Sequence, residues 1–155
     1  MDLKEPGFFV EAGALDGETR SNTLQLERKH GWEGVLIEAD KTSLFALKEK
    51  HRKAWILPNC ISTQNHTIVA EFANKGHVGK IKLTKDKVGQ SATQGLTDVV
   101  CLPLYSIVSA LGRKRIDFFS LDVEGFELEV LKTVPFDQLD IKVSHKKLKK
   151  NKTFA

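Results

Sequence analysis

The sequence has two cysteines, one methionine, four prolines and one tyrosine among its 155 residues, and several of these shortages exclude a class of protein. Cys60 and Cys101 are too few for a disulfide framework and lack the spacing of a zinc site, so a free buried thiol is the expected state of each. The apolar runs are strand-sized, well short of the roughly 18 residues that a membrane helix needs. The opening, with Asp2, Lys4 and Glu5, is unlike a signal peptide. The chain as written is therefore expected to be soluble and cytoplasmic, without a transmembrane segment. The five histidines are scattered with no i, i+4 pair, and no metal is expected. The dinucleotide signature G-x-G-x-x-G is missing, as is any internal repeat.

What is present supports one domain. A hydrophobic content of 41% supplies one substantial core for a chain of this length. The net charge of +4 is local. Of 24 lysines and arginines, six lysines lie from Lys142 onward with no acid beside them, which leaves 18 bases against 20 acids before that point. A nucleic-acid partner is thus disfavoured, and residues 144–155 read as a basic, solvated, disordered tail.

Strand and helix patterns alternate through the first third of the chain, which argues for parallel βαβ units. Phe8 to Val10 read as a buried strand, Ser21 to His30 as a helix stopped by Gly31, and Gly34 to Glu38 as a second strand. A helix from Thr42 turns Leu44 and Leu47 inward and Lys48, Lys50 and Arg52 to water. Trp55 to Leu57 form a third strand. Thr67–Phe72 and Lys80–Thr84 predict a hairpin about residues 74–77, and Lys85–Thr97 a mobile loop. A helix over Leu104–Leu111, a strand over Ile116–Leu121, a turn at Asp122-Val123-Glu124-Gly125, a further helix and a last strand over Leu139–Val143 complete the pattern. The fold class is α/β: a Rossmann-like, mostly parallel sheet with flanking helices and an inserted hairpin. The closing strands of such a sheet are not recognisable, which would leave an open edge.

The acids at the strand ends carry the chemistry. Gly13, Ala14 and Gly17 lie in a turn where backbone can approach a ligand closely. Glu38 follows about 20 residues later, where a nucleoside-binding fold has the carboxylate that accepts ribose hydroxyls. Glu11 and Asp16 would repel a pyrophosphate but suit an ammonium and a sulfonium, so S-adenosylmethionine fits better than NAD. Thr19 and Asn22 are candidates for hydrogen bonds to the cofactor's carboxylate, or for helix capping. Asn59 and Cys60 would border the adenine, although Cys60 is as readily a packing residue. Asp122 would face the sulfonium and the acceptor hydroxyl, with Glu124 positioning either or merely starting a helix.

Three blocks, Phe9–Thr19, Gly31–Asp40 and Ile116–Leu128, resemble the FkbM-type methyltransferase domain in order, over about Gly7 to Val143. The resemblance implies residues 1–143 as the domain, incomplete at its C-terminal end. It also implies methyl transfer from S-adenosylmethionine to a hydroxyl of a small molecule or glycan, with Asp122 or Glu124 as base. The first two blocks are most similar to the animal Star-like branch. That similarity implies an alternative: a non-catalytic module engaging membrane-protein cargo, such as growth-factor precursors, along the ER, Golgi and endosomes.

Overall fold

The computed structural model describes residues 5–73, 80–82, 96–142 and 144–146. In chain order the elements are β1 (Phe8–Ala12), α1 (Leu24–His30), β2 (Glu33–Ile37), α2 (Lys41–Glu49), β3 (Trp55–Leu57), β4 (Cys60–Ile61), β5 (Ile68–Ala73), β6 (Lys80–Lys82) and β7 (Leu96–Leu102). There follow α3 (Leu104–Ala110), β8 (Arg115–Ile116), β9 (Phe118–Leu121), α4 (Glu127–Lys132), β10 (Asp140–Ile141) and β11 (Ser144–Lys146).

The main sheet has the order β11-β9-β1-β2-β3 and is parallel throughout. The chain runs outward from β1 to β3, then crosses back to lay β9 on the other side of β1. The strand order thus reverses between β1 and β9, and in open α/β sheets ligands bind above the carboxyl ends at such a reversal. Every residue of β1 is buried, as expected of a strand covered on both faces. Phe8, Val10 and Ala12 pack with Leu104, Ile107, Val108 and Val130 from α3 and α4. Phe9 and Leu36 face the opposite way, against Trp32 and, from α1 and α2, Leu26, Leu44 and Leu47.

A second sheet, β4-β7-β5-β6, contains the antiparallel β5–β6 pair expected as a hairpin. Its turn, residues 74–79, lies outside the described residues, as does most of the expected loop over residues 85–97. The end of that stretch, Leu96 and Thr97, opens β7, a strand that the sequence reading did not anticipate. β7 pairs parallel with β4 and sets Cys60 opposite Cys101. The two are disulfide-bonded, with Cα atoms 4.3 Å apart, which corrects the expectation of two free thiols.

Three boundaries also shift. α1 begins at Leu24 because the Ser21 hydroxyl accepts from the Thr23 and Leu24 amides (3.2 and 3.1 Å) and holds residues 21–23 in a turn. The strand expected over Ile116–Leu121 breaks at Asp117. That residue's carboxylate accepts from the Phe8 amide (2.9 Å), while β8 diverges to pair with β10. β11 pairs with β9, so residues 144–146 of the expected tail are a strand of the main sheet. The remainder, residues 147–155, lies outside the described residues.

Candidate functional site

The tips of β1, β2 and β9 converge. The Gly13 and Ala14 amides both donate to the Ile37 carbonyl (3.0 and 3.2 Å), which turns the chain across the end of β2. Gly13 has φ +80°, and a Cβ there would lie 2.1 Å from the Asp122 carbonyl oxygen, so only glycine lets the β1 turn pass this close to the end of β9. Leu15 takes the left-handed region as well (φ 54°), and its amide donates to Glu38 Oε2 (2.7 Å). Glu38 Oε1 accepts from the Asp40 amide (2.8 Å), and Asp40 in turn caps α2 by accepting from the Ser43 amide (2.7 Å).

Glu38 is 8% exposed, and its carboxyl is raised above the ordinary carboxylate range. Burial is the main cause. The Asp40 charge adds to it, and the backbone donors only partly offset it. A carboxylate has about four lone-pair sites, so the Leu15, Ala39 and Asp40 amides leave room for a further donor. Its charge is under-solvated, and further hydrogen-bond donors would stabilise it.

Asp16 is set up differently. Its carboxylate accepts from the Glu18 amide (3.0 Å), the Thr19 amide (2.7 Å) and the Thr19 hydroxyl (2.7 Å). Burial pushes its pKa up, but the Thr19 hydroxyl, the two amides and the Lys50 charge prevail and hold it below the ordinary value. Gly17 (φ +75°) sits over Leu47, where a Cβ would meet the Leu47 side chain at 2.3 Å.

Glu11 shares a register row with Leu36 and Ser120 and therefore points to the α1 and α2 side of the sheet, beneath the loop. It is 3% exposed and accepts from the Asn22 amide (2.8 Å), the Ser21 hydroxyl (2.8 Å) and the Thr23 hydroxyl (2.5 Å). Its work is to hold the loop. The Asn22 side chain donates to the Ser120 hydroxyl (2.9 Å), joining that loop to β9.

Arg52, expected to face water, is buried at the centre of the same region, which corrects that expectation. Its guanidinium donates to the Gly17 carbonyl and to the Thr23 hydroxyl (3.2 Å), and it pairs with buried Glu27 (3.0 Å). Glu27 also accepts from the Lys53 and Ala54 amides (3.1 and 3.2 Å).

On the other side of the convergence, the Asp122 amide donates to the Ala12 carbonyl (3.0 Å), and Asp122 and Glu124 are both partly buried. Past β3, the Asn59 side chain donates to the Val100 carbonyl (3.0 Å), which ties this rim to the second sheet. Cys60 follows it as half of the disulfide.

A family model for the methyltransferase FkbM domain matches residues 11–153. The chain belongs to the FkbM methyltransferase family. No curated protein and no solved structure matches it.

FkbM methyltransferases generally use S-adenosylmethionine, and the residues at this edge fit such a group. Glu38 has unfilled acceptor capacity at the tip of β2, where ribose hydroxyls would donate. The turn over residues 13–19 carries the Asp16 carboxylate and the exposed Thr19 beside it. Asn59 stands at the far rim. No group of three or more His, Cys, Asp or Glu residues suited to a metal occurs among the described residues. An open groove at the opposite, amino edge of the sheet, lined by Gly7, Trp32, Glu33, Arg113 and Asp117 among others, is a strand's length away. Within it Arg113 pairs with Glu33 and Arg115 with Asp117.

Sequence reasoning did not single out Arg52, Glu27, Ser120 or Glu127 for this FkbM site. Only the acids repeated within Asp122–Glu127 offer a signal in the sequence, and it reaches no further than Asp122 and Glu124.

Proposed function

We propose that this FkbM domain binds S-adenosylmethionine over the tips of β1, β2 and β9 and directs its methyl group to a hydroxyl oxygen. The observation that carries the reading is the convergence of Gly13, Glu38 and Asp122. The turn in β1 crosses the end of β2 and reaches the Asp122 carbonyl, in a chain whose family transfers methyl groups.

The cofactor would supply an activated methyl on a sulfonium. The protein's part is then orientation and exclusion of water. Glu38 would accept the ribose hydroxyls. The turn with Gly13, Ala14, Asp16, Gly17 and Thr19 would meet the amino-acid end, and Asn59 the base. Glu11 and Asn22 would act by fixing that turn. Asp122, or Glu124 beside it, would take the acceptor's proton, an effect on the order of 100-fold for a positioned base. Calorimetry with S-adenosylmethionine and S-adenosylhomocysteine tests the reading. Micromolar binding that disappears in Glu38→Ala supports it, and a folded chain that binds neither compound refutes it. Asp122→Asn should bind cofactor while losing turnover on any hydroxyl acceptor.

One observation favours a second reading, the Star-like cargo module. Both cysteines of the sequence are joined in a buried disulfide, and such bonds persist mainly in secretory and extracellular spaces. A domain in that setting could meet a glycan acceptor or a membrane-protein cargo. No helix among the described residues is long and apolar enough to cross a membrane. Alkylating the native protein in intact cells separates the settings, since blocked cysteines support the lumenal one and two alkylated thiols the reducing one.

A further inference from the structure

The turn that carries both candidate catalytic acids is under conformational strain, and a buried side chain, Glu127, is hydrogen-bonded to it at two points. Glu124 has φ 56° and Gly125 φ 105°, so two successive residues lie outside the regions that L side chains ordinarily adopt. Such a geometry persists at a non-glycine residue only when its surroundings over-determine it. Here the amides on either side of Glu124, those of Val123 and Gly125, both donate to the same atom, Oε1 of Glu127, each at 3.1 Å. Glu127 is the first residue of α4 and is 6% exposed. Phe126, at the N-cap, makes no side-chain cap bond. The carboxylate therefore reaches back past the helix start and pins the turn from within the fold.

From this geometry we infer that Glu127 is a positioning residue for Asp122 and Glu124. Its two hydrogen bonds fix the rotation of the 122–123 and 124–125 peptide units, which bracket Val123 and Glu124. The same units set how Asp122, whose own amide is tied to the Ala12 carbonyl, leaves the end of β9. A buried carboxylate is costly to keep unless its hydrogen bonds are needed, and an apolar side chain would fill the space without that penalty. The inference rests on the methyl-donor reading of the site and adds to it the residue that shapes the β9 side.

The test compares Glu127→Ala, Glu127→Gln and a matched control, Val130→Ala, which truncates a side chain on the same helix that is 1% exposed. Two readouts are taken well below each unfolding midpoint: hydrogen exchange of the Val123 and Gly125 amides by NMR, and S-adenosylhomocysteine affinity by calorimetry. Glutamine keeps a carbonyl oxygen that can accept both amides, so Glu127→Gln should retain protection and bind within about threefold of the parent. Glu127→Ala should lose protection at both amides and bind about tenfold more weakly, the scale of one lost hydrogen bond. Val130→Ala should melt earlier while binding normally.

Unchanged exchange in Glu127→Ala overturns the hold itself. Faster exchange with unchanged affinity overturns the positioning role and leaves a structural one. If the folded parent chain binds no S-adenosylhomocysteine, the cofactor reading fails by itself. The exchange data then decide alone whether Glu127 sets the turn.

Discussion

Above β1 the chain is held in place by buried polar contacts, and beyond β3 by a covalent bond. The loop over residues 13–23 is gripped from below by Glu11, from the side by Arg52 with Glu27, and across the sheet by Asn22 on Ser120. Among the described residues, the second sheet shares Ile61 and Leu102 with the main core and otherwise has a small cluster of its own. Ala70, Val99 and the two cysteines form its small buried cluster, while Val69 and Val100, opposite each other in register, are 50% and 40% exposed. There the Cys60–Cys101 bond closes a segment of 41 residues. The difference matters for function. A polar clamp specifies the shape of a binding loop because each donor needs its own acceptor. A disulfide limits the unfolded chain and makes the region depend on redox conditions.

The sharpest way to break the polar side is Arg52→Leu. The substitution keeps the packing of the side chain's stem but strands Glu27 and the Gly17 carbonyl without their cation. Removing one partner of a buried pair is expected to destabilise the chain by about 3–5 kcal/mol. Urea unfolding measures the loss, and hydrogen exchange should rise through residues 13–23 while the second sheet keeps its protection. Uniform loss of protection would mean that the two regions are not separately held.

The converse experiment removes the covalent side. Loop-closure entropy for a segment of this size predicts a loss of about 4 kcal/mol as an upper figure, and measured values commonly fall between about 2 and 4. Comparing the parent with Cys60→Ala/Cys101→Ala in urea gives the number. Protection should fall in β5 and β7 and persist at the Leu15 and Asn22 amides.

The two regions were also unequally legible in the sequence. β1 and β2 follow from apolar runs, because a strand buried on both faces leaves an unbroken hydrophobic signature; β3 is a short apolar run at the less buried edge, and the helices between them follow from their periodicity. The tip acids Glu38 and Asp122 follow from their places after those strands. β7 was not legible. Asp98 to Cys101 alternate between an exposed face and the buried cluster, but Val99 and Val100 are both apolar and hide that alternation, and the strand begins at the end of a stretch with no periodicity. Without β7, Cys60 and Cys101 have no reason to meet. Arg52 was misread because it lies in a basic run, Lys48 to Lys53, and was projected onto the helical face of Lys48. α2 ends at Glu49 and His51 turns left-handed (φ 50°), so the helical projection no longer applies at Arg52. Glu11 was recognised as important, but its direction depends on which strand neighbours share its row.

A smaller perturbation lies at the joint between the clamp and the β2 tip. Asp40→Ala removes the cap of α2 and should destabilise the chain by about 1 kcal/mol in thermal or urea unfolding. It also removes a negative charge that raises the Glu38 pKa, so that pKa should fall in an NMR titration. Asp40→Asn, which keeps a capping oxygen, should lower the Glu38 pKa with little loss of stability.

The smallest effect expected is the pH dependence of Glu38 itself, and its sign opposes that of Asp16. The Asp16 carboxyl is held below its ordinary value, so its contribution is present above that value and lost as pH falls through the folded pKa. For Glu38 the folded pKa is raised, so its contribution is complete below the ordinary carboxylate value and lost as pH rises through the folded one. The parent's stability relative to Glu38→Gln should therefore decline with rising pH across that window and level off above it. Bound ribose hydroxyls would donate to the ionised carboxylate and pull its pKa back down. Binding of S-adenosylhomocysteine within the window should then release protons, seen as a buffer-dependent heat that Glu38→Gln abolishes. A buffer-independent heat in the parent would place the ribose elsewhere and leave Glu38 with the structural task of holding Leu15.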